Sequence, residues 1–98
     1  MQRPSVVLRT HGPAWDESRP LEEQTDWPAH ATFMNALAAE GFVAVGGLLE
    51  GTSDTLLVVM AKDRSEIELR LSVDPWTRSG LLIVKNCWPW EVRLGSVR

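Results

Sequence analysis

His30, within Thr25–Met34 (TDWPAHATFM), is the side chain whose type and setting could do proton chemistry; Asp74, within DPWTRSG, is a carboxylate 44 positions further on. An imidazole takes up and returns protons near neutral pH. A carboxylate held on one ring nitrogen fixes the tautomer and leaves the other nitrogen as a base. Each residue also has a plain structural explanation. A histidine on an apolar helix face is commonly a satisfied core residue, and aspartate before proline is a common turn residue. His30 lies three and four positions before Phe33 and Met34, so on a helix all three share a face. In the first helical turn it meets the positive helix end, which suits a neutral, proton-accepting ring.

Other chemistry is less well supported. His11 and His30 have no metal-ligand spacing, so no metal site is expected. Cys87, the lone cysteine, cannot form an intrachain disulfide and reads as a buried, inert thiol in a strand. The hydroxyls of Thr25 and Ser79 have no triad context. Gly46-Gly47 is not a phosphate loop, because the strand-to-helix setting is missing. Five tryptophans against no tyrosine is the one unusual count. Trp15, Trp27, Trp76, Trp88 and Trp90 are spread along the chain, and they serve either core packing and a subunit interface or an aromatic-lined pocket.

The elements that must position these residues belong to one domain, 1–98. The net charge of -3 leaves no basic footprint for nucleic acid. The longest apolar run, Leu56–Ala61, falls far short of the roughly 20 residues of a membrane span. The N-terminus lacks the apolar region of a signal peptide, so a reducing cytoplasm is the expected compartment.

Ser5–Thr10 reads as a strand, ended by His11-Gly12-Pro13. GPAWDESRPLEEQTDW reads as a long loop, functional rather than disordered because tryptophans bracket it. A helix is expected from about Trp27, with Asp26 as cap, Pro28 in its first turn and Gly41 as its stop. Its apolar stripe is Phe33, Met34, Leu37 and Ala38. Phe42–Leu49, apolar on both faces, predicts a covered central strand with a bulge or close approach at Gly46-Gly47. Glu50–Asp54 turns it into a hairpin with Thr55–Ala61. Ser65–Asp74 alternates like a strand, but Ser65 with Glu68 forms a capping-box pattern in a run of helix formers, which predicts a helix. DPWTRSG is then a turn, Leu81–Cys87 the last long strand, and WPWEVRL a bent edge continuation beyond Pro89.

The expected order is βαββαβ, an α+β ferredoxin-like arrangement with helices on one sheet face. Strands that are apolar on both faces require a cover for the other face, and a homodimer packing sheet on sheet supplies it.

The residues resemble the YCII-related (YciI-like) family, a branch of the dimeric α+β barrel superfamily. The likeness rests on Pro28-Ala29-His30, Gly41, Gly46-Gly47, Asp74-Pro75-Trp76, Ser79-Gly80-Leu81 and Pro89-Trp90. The loop before His30 is similar to a subgroup with a Trp-containing extension at this place. Two departures stand out: Leu48 occupies a position where the family often has proline, and the Trp loop replaces a shorter connection. The resemblance implies catalytic His30 and Asp74, with His30 as general base. It also implies a small-molecule pocket edged by Trp15, Trp27, Trp76 and Gly47, and no cofactor. Related barrels include isomerases and a dehydrochlorinase, so a cofactor-free lyase or isomerase is what it implies about activity. The competing expectation is a non-catalytic small-ligand-binding or dimerisation module, which needs the tryptophans but no particular titratable group.

Overall fold

The computed structural model describes residues 2–97. Strands β1 (Arg3–His11), β2 (Val43–Leu48), β3 (Asp54–Ala61) and β4 (Leu82–Pro89) form one sheet in the order β2-β3-β1-β4, with every neighbouring pair antiparallel. Helix α1 (Trp27–Ala39) joins β1 to β2, while α2 (Arg64–Leu71) and the short α3 (Pro75–Ser79) join β3 to β4. One turn of 3₁₀ helix, Leu21–Glu23, interrupts the long loop before α1. The fold is the expected α+β ferredoxin-like one, with a third helix added.

β1 alternates strictly, burying Ser5, Val7 and Arg9 toward the helices. Val7 meets Leu57, Val59, Val43 and Cys87 from the other strands, and Leu37, Ile67 and Leu71 from α1 and α2, in one apolar core. Phe33 and Met34 pack against its edge. Burial pushes the Cys87 thiol up from its ordinary pKa, outweighing the opposing pull of Arg64, so the buried cysteine is a poor nucleophile. A second cluster of Trp76, Leu81 and Leu82 sits at the open end of the sheet, with Trp15, Leu21 and Trp27 packed on it. The long loop is therefore held by a small aromatic core of its own.

Several local expectations are corrected. β2 is an edge strand, not a covered central one, with Val45 60% exposed, because β1 rather than β2 takes the centre beside β3. Its bulge lies between Val43 and Val45, upstream of the glycines. Gly46 is a close approach, since a Cβ there would lie 2.7 Å from the Leu57 side chain. The Asp26 side chain accepts no capping hydrogen bond; the residue adopts a left-handed conformation (φ 63°), which aspartate tolerates better than most residues. The capping box of α2 begins two residues earlier than expected. Asp63 accepts from the Glu66 amide, and Glu66 reaches back to the Lys62 amide. DPWTRSG is a helix rather than a plain turn, capped by the Asp74 side chain and ended by Gly80 at φ 82°. WPWEVRL continues the edge strand only at its start: Trp88 and Pro89 pair with Val6 and Ser5, the Trp90 amide donates to the Pro4 carbonyl at 2.9 Å, and the chain leaves the sheet beyond that.

The sheet face away from the helices carries Val45, Val58, Val6 and Trp88 in one register row, with Leu56 and Leu8 in the next. Trp88 is 45% exposed there. A second bulge falls between Leu8 and Arg9 where β1 meets β4. Among the described residues no helix is long and apolar enough to cross a membrane.

Candidate active site

The first turn of α1 places His30, and the turn into α3 places Asp74. His30 Nδ1 lies 2.9 Å from Asp74 Oδ1 and 3.1 Å from Oδ2. Asp74 is 0% exposed and His30 8%. The carboxylate also accepts from Arg9 Nη1 at 2.8 Å and from the Trp76 backbone amide at 2.9 Å. Burial alone would raise the Asp74 carboxyl, but the hydrogen bonds from His30, Arg9 and the Trp76 amide together hold it below the usual carboxylate range. An ionised carboxylate can only accept, so His30 Nδ1 carries its hydrogen toward Asp74. In the neutral ring Nε2 then bears the lone pair. Nε2 makes no hydrogen bond to any described residue and is not sealed from solvent.

The imidazole stacks on the Trp76 indole, with centroids 3.9 Å apart and planes 6° from parallel. Trp76 is itself fixed by its backbone amide on Asp74 and by its indole Nε1, which donates to the Thr25 carbonyl at 2.7 Å. One residue thus sets the position of both members of the pair. Trp15 meets Trp76 edge-on at 5.5 Å, Trp27 meets it at 5.7 Å, and His11 stacks on Trp15 at 3.8 Å.

A cavity of about 350 Å³ opens beside this cluster. Arg9, His11 and His30 border it together with Trp15 and Trp27, and Met34, Asn35 and the β2 residues through Gly47 complete the lining. That volume suits a small organic molecule. Trp76 also borders it but is fully buried, backing the imidazole. Gly47 leaves open space where a side chain would stand. Among the described residues no group of three or more His, Cys, Asp or Glu side chains is placed to hold a metal ion. The structure brings His30, Asp74, Trp15, Trp27, Trp76 and Gly47 to one place.

No family model matches the chain, and no curated protein matches it. Among solved structures it is similar to 5-chloro-2-hydroxyhydroquinone dehydrochlorinase from Burkholderia phenoliruptrix AC1100, solved in complex with 2,5-dihydroxybenzoquinone. The TM-score is 0.62, with 20% identity over 89% of this chain and 93% of that one. What the two share is the α+β ferredoxin-like fold. At that identity the likeness is one of fold, and the chemistry of this site rests on its own residues.

Two residues escaped sequence reasoning. Arg9, 1% exposed on the inner strand β1, joins His30 and Asp74 as the third member of a buried triad. Gln24 is buried in the long loop and ties it: its Oε1 accepts from the Asp16 amide at 3.0 Å, while its Nε2 donates to the Asp16 and Arg19 carbonyls. With Leu21 on the cavity wall, this clamp keeps the loop over His30. Gly12 makes a further tie, its amide donating to the Leu81 carbonyl at 2.8 Å, while Ala14 donates to Gly80 at 3.1 Å.

Proposed function

We propose that this protein is a proton-transfer enzyme of the lyase or isomerase type, acting on a small organic molecule without a cofactor, and a member of the YCII-related branch of its superfamily. One observation carries the proposal: the 2.9 Å contact of His30 Nδ1 with Asp74 uses the ring's inner nitrogen and leaves Nε2 beside an aromatic-walled cavity. Asp74 holds the tautomer and orientation; His30 is the general base. Nε2 takes a proton from a substrate carbon, breaking the C–H bond, and its electron pair moves into the substrate. In an isomerisation the proton returns at another carbon. In an elimination the pair expels a leaving group from the neighbouring carbon. Trp15 and Trp27 hold a flat molecule, Trp76 positions the imidazole, and Gly47 leaves room at the β2 wall. The dehydrochlorinase of the same fold, bound to a hydroxylated quinone, supports an oxygenated ring as the kind of molecule to try first.

A homodimer is part of the proposal. The apolar row of Val45, Val58, Val6 and Trp88 lies on the helix-free face, and a second copy of the sheet is the cover that matches it.

The experiment is hydrogen exchange in deuterated water. Hydroxyquinones, keto acids and unsaturated lactones are incubated with the protein, and deuterium at carbon is read by NMR. The expected result is catalysed exchange with at least one class, lost by roughly 10²–10⁴-fold in His30→Gln, the usual contribution of a positioned acid-base group. A protein that binds such compounds in the cavity yet exchanges no carbon-bound hydrogen is a ligand-binding module instead.

A further inference from the structure

Arg9 is a buried cation with most of its donors idle. Its side chain is 2% exposed, and of the five N–H bonds of a guanidinium only one, on Nη1, meets an oxygen acceptor, Asp74 Oδ2. Nη2 is 3.4 Å from the thioether sulfur of Met34, a weak acceptor, and Nε has no partner among the described residues. Nε and Nη2 lie on the same edge of the guanidinium, the edge that grips a carboxylate with two parallel bonds. A buried donor left unmade is costly, and a buried cation without its full complement of acceptors more so. Such an expense is characteristic of a site that completes itself with a ligand.

The surroundings agree. Arg9 borders the same cavity as His30 and His11, and no aspartate or glutamate does. Asp74 stands behind His30 and Arg9, away from the cavity wall. The wall itself therefore offers one guanidinium and two imidazoles, while the nearest carboxylates, Asp74 against Arg9 and Glu17 3.5 Å from His11 Nδ1, stand outside the lining. Met34 covers the Nη2 position with a flexible, unbranched side chain that moves at little cost.

We infer that Arg9 is an oxyanion-binding residue: its Nε–Nη2 edge receives a negatively charged oxygen of the ligand, displacing the Met34 sulfur, while His30 Nε2 faces the adjacent carbon. The ligand class is a small carbonyl or enol compound that is bound or formed as an enolate or phenolate. This rests on the proton-transfer proposal for the direction of chemistry and deepens it. When a C–H bond breaks and an N–H bond forms at Nε2, the electron pair comes to rest on the substrate oxygen, and Arg9 stabilises it there.

The test is a binding measurement that needs no turnover. Para-nitrophenol, a dye that ionises near neutral pH, is compared with para-nitroanisole, its neutral methyl ether, by quenching of the pocket tryptophans. The bound dye's own ionisation is read from its absorbance. Tighter binding of the phenolate by roughly ten- to a hundredfold is expected, the range of one charge-assisted hydrogen bond. The dye's ionisation should shift to lower pH, and the Arg9 Nε–H resonance should move on binding. Arg9→Lys, which keeps the charge beside Asp74 but lacks the two-pronged edge, should lose most of the preference; Arg9→Gln should lose all of it. His30→Ala should keep it, so loss of proton exchange with retained phenolate binding separates the catalytic proposal from this one. Equal affinity for the two compounds, or an Arg9 Nε–H signal unmoved at saturation, overturns the assignment even if both arginine variants fail to fold.

Discussion

Replacing Asp74 with asparagine should cost this protein far more than the loss of one charge on its surface would. Asp74 is fully buried and takes hydrogen bonds from Arg9 Nη1, His30 Nδ1 and the Trp76 amide, all within 2.9 Å. An asparagine keeps one oxygen where two now serve three donors, and its amide nitrogen adds a donor facing donors. Arg9 would be left as a buried cation without its carboxylate, a change that costs about 3–5 kcal/mol in comparable buried pairs. Domains of this size are stable by about 5–15 kcal/mol, so the variant should be marginal. At about 4–8 °C per kcal/mol the melting temperature should fall by roughly 12–40 °C. Urea unfolding followed by tryptophan fluorescence at fixed protein concentration gives the difference directly, since Trp76 touches the altered group. The pH dependence has a definite sign. Asp74 has a lower pKa folded than unfolded. The unfolded chain therefore binds more protons between the two values, and the carboxylate's contribution is complete above the ordinary value of about 4. The gap between wild type and Asp74→Asn should hold from neutral pH down to about 4 and close below it, as the folded carboxyl protonates. Adding Arg9→Met to Asp74→Asn removes the orphaned cation and should recover part of the loss. A single variant within about 1 kcal/mol of wild type at pH 7, the size of an exposed pair, would show that the buried triad is not what it is taken to be.

Three further outcomes are expected. Gly12→Ala places a Cβ 2.2 Å from the Gly80 carbonyl oxygen, so it should destabilise by about 1–3 kcal/mol, and an unchanged unfolding midpoint would mean that the junction yields freely. Gln24→Ala removes three hydrogen bonds from the long loop; limited proteolysis near Arg19 should quicken while the unfolding midpoint of the sheet core changes little, and equal cleavage rates would refute the clamp. Trp88→Asp puts a charge on the helix-free face, and sedimentation should show the wild-type dimer converted to monomer; a wild type already monomeric at micromolar concentration removes the dimer proposal.

His30 was legible because a proline, a first helical turn and an apolar stripe fix both its element and its face, and Asp74 because an aspartate before proline marks a turn or cap. The α3 helix was not, since five residues cannot show a period; Asp74 as cap, Pro75 after it and Gly80 at the end were its only signals. Arg9 was hidden by its neighbours. Val6, Val7 and Leu8 are apolar on both faces, so nothing in SVVLRT says which side Arg9 takes, and buried arginines are rare enough that the exposed side is the natural assumption. The same two-sided apolarity made β2 look central. It marks a strand covered on one face by helices and awaiting cover on the other, a distinction that sequence periodicity does not make. Gln24 sits among charged residues, where a polar side chain gives no sign of being buried.

The bulge beside Arg9 gives β4 one residue more than its ladder uses. Arg9 pairs with Val84 and Leu8 with Asn86, so Lys85 has no partner across the sheet. Leu82 and Cys87 consequently stand on the same face although their positions are an odd number of steps, five, apart. Shortening the chain therefore has opposite consequences at adjacent sites. Removing Lys85 would leave every other β4 side chain on its present face and sacrifice only the ion pair to Asp54 and the local twist beside Arg9. Removing Cys87 instead would put the bulky Trp88 indole where the buried thiol stands and slip the rest of the strand against β1. A chain lacking Lys85 should therefore fold with the same pattern of β4 faces, whereas one lacking Cys87 should not.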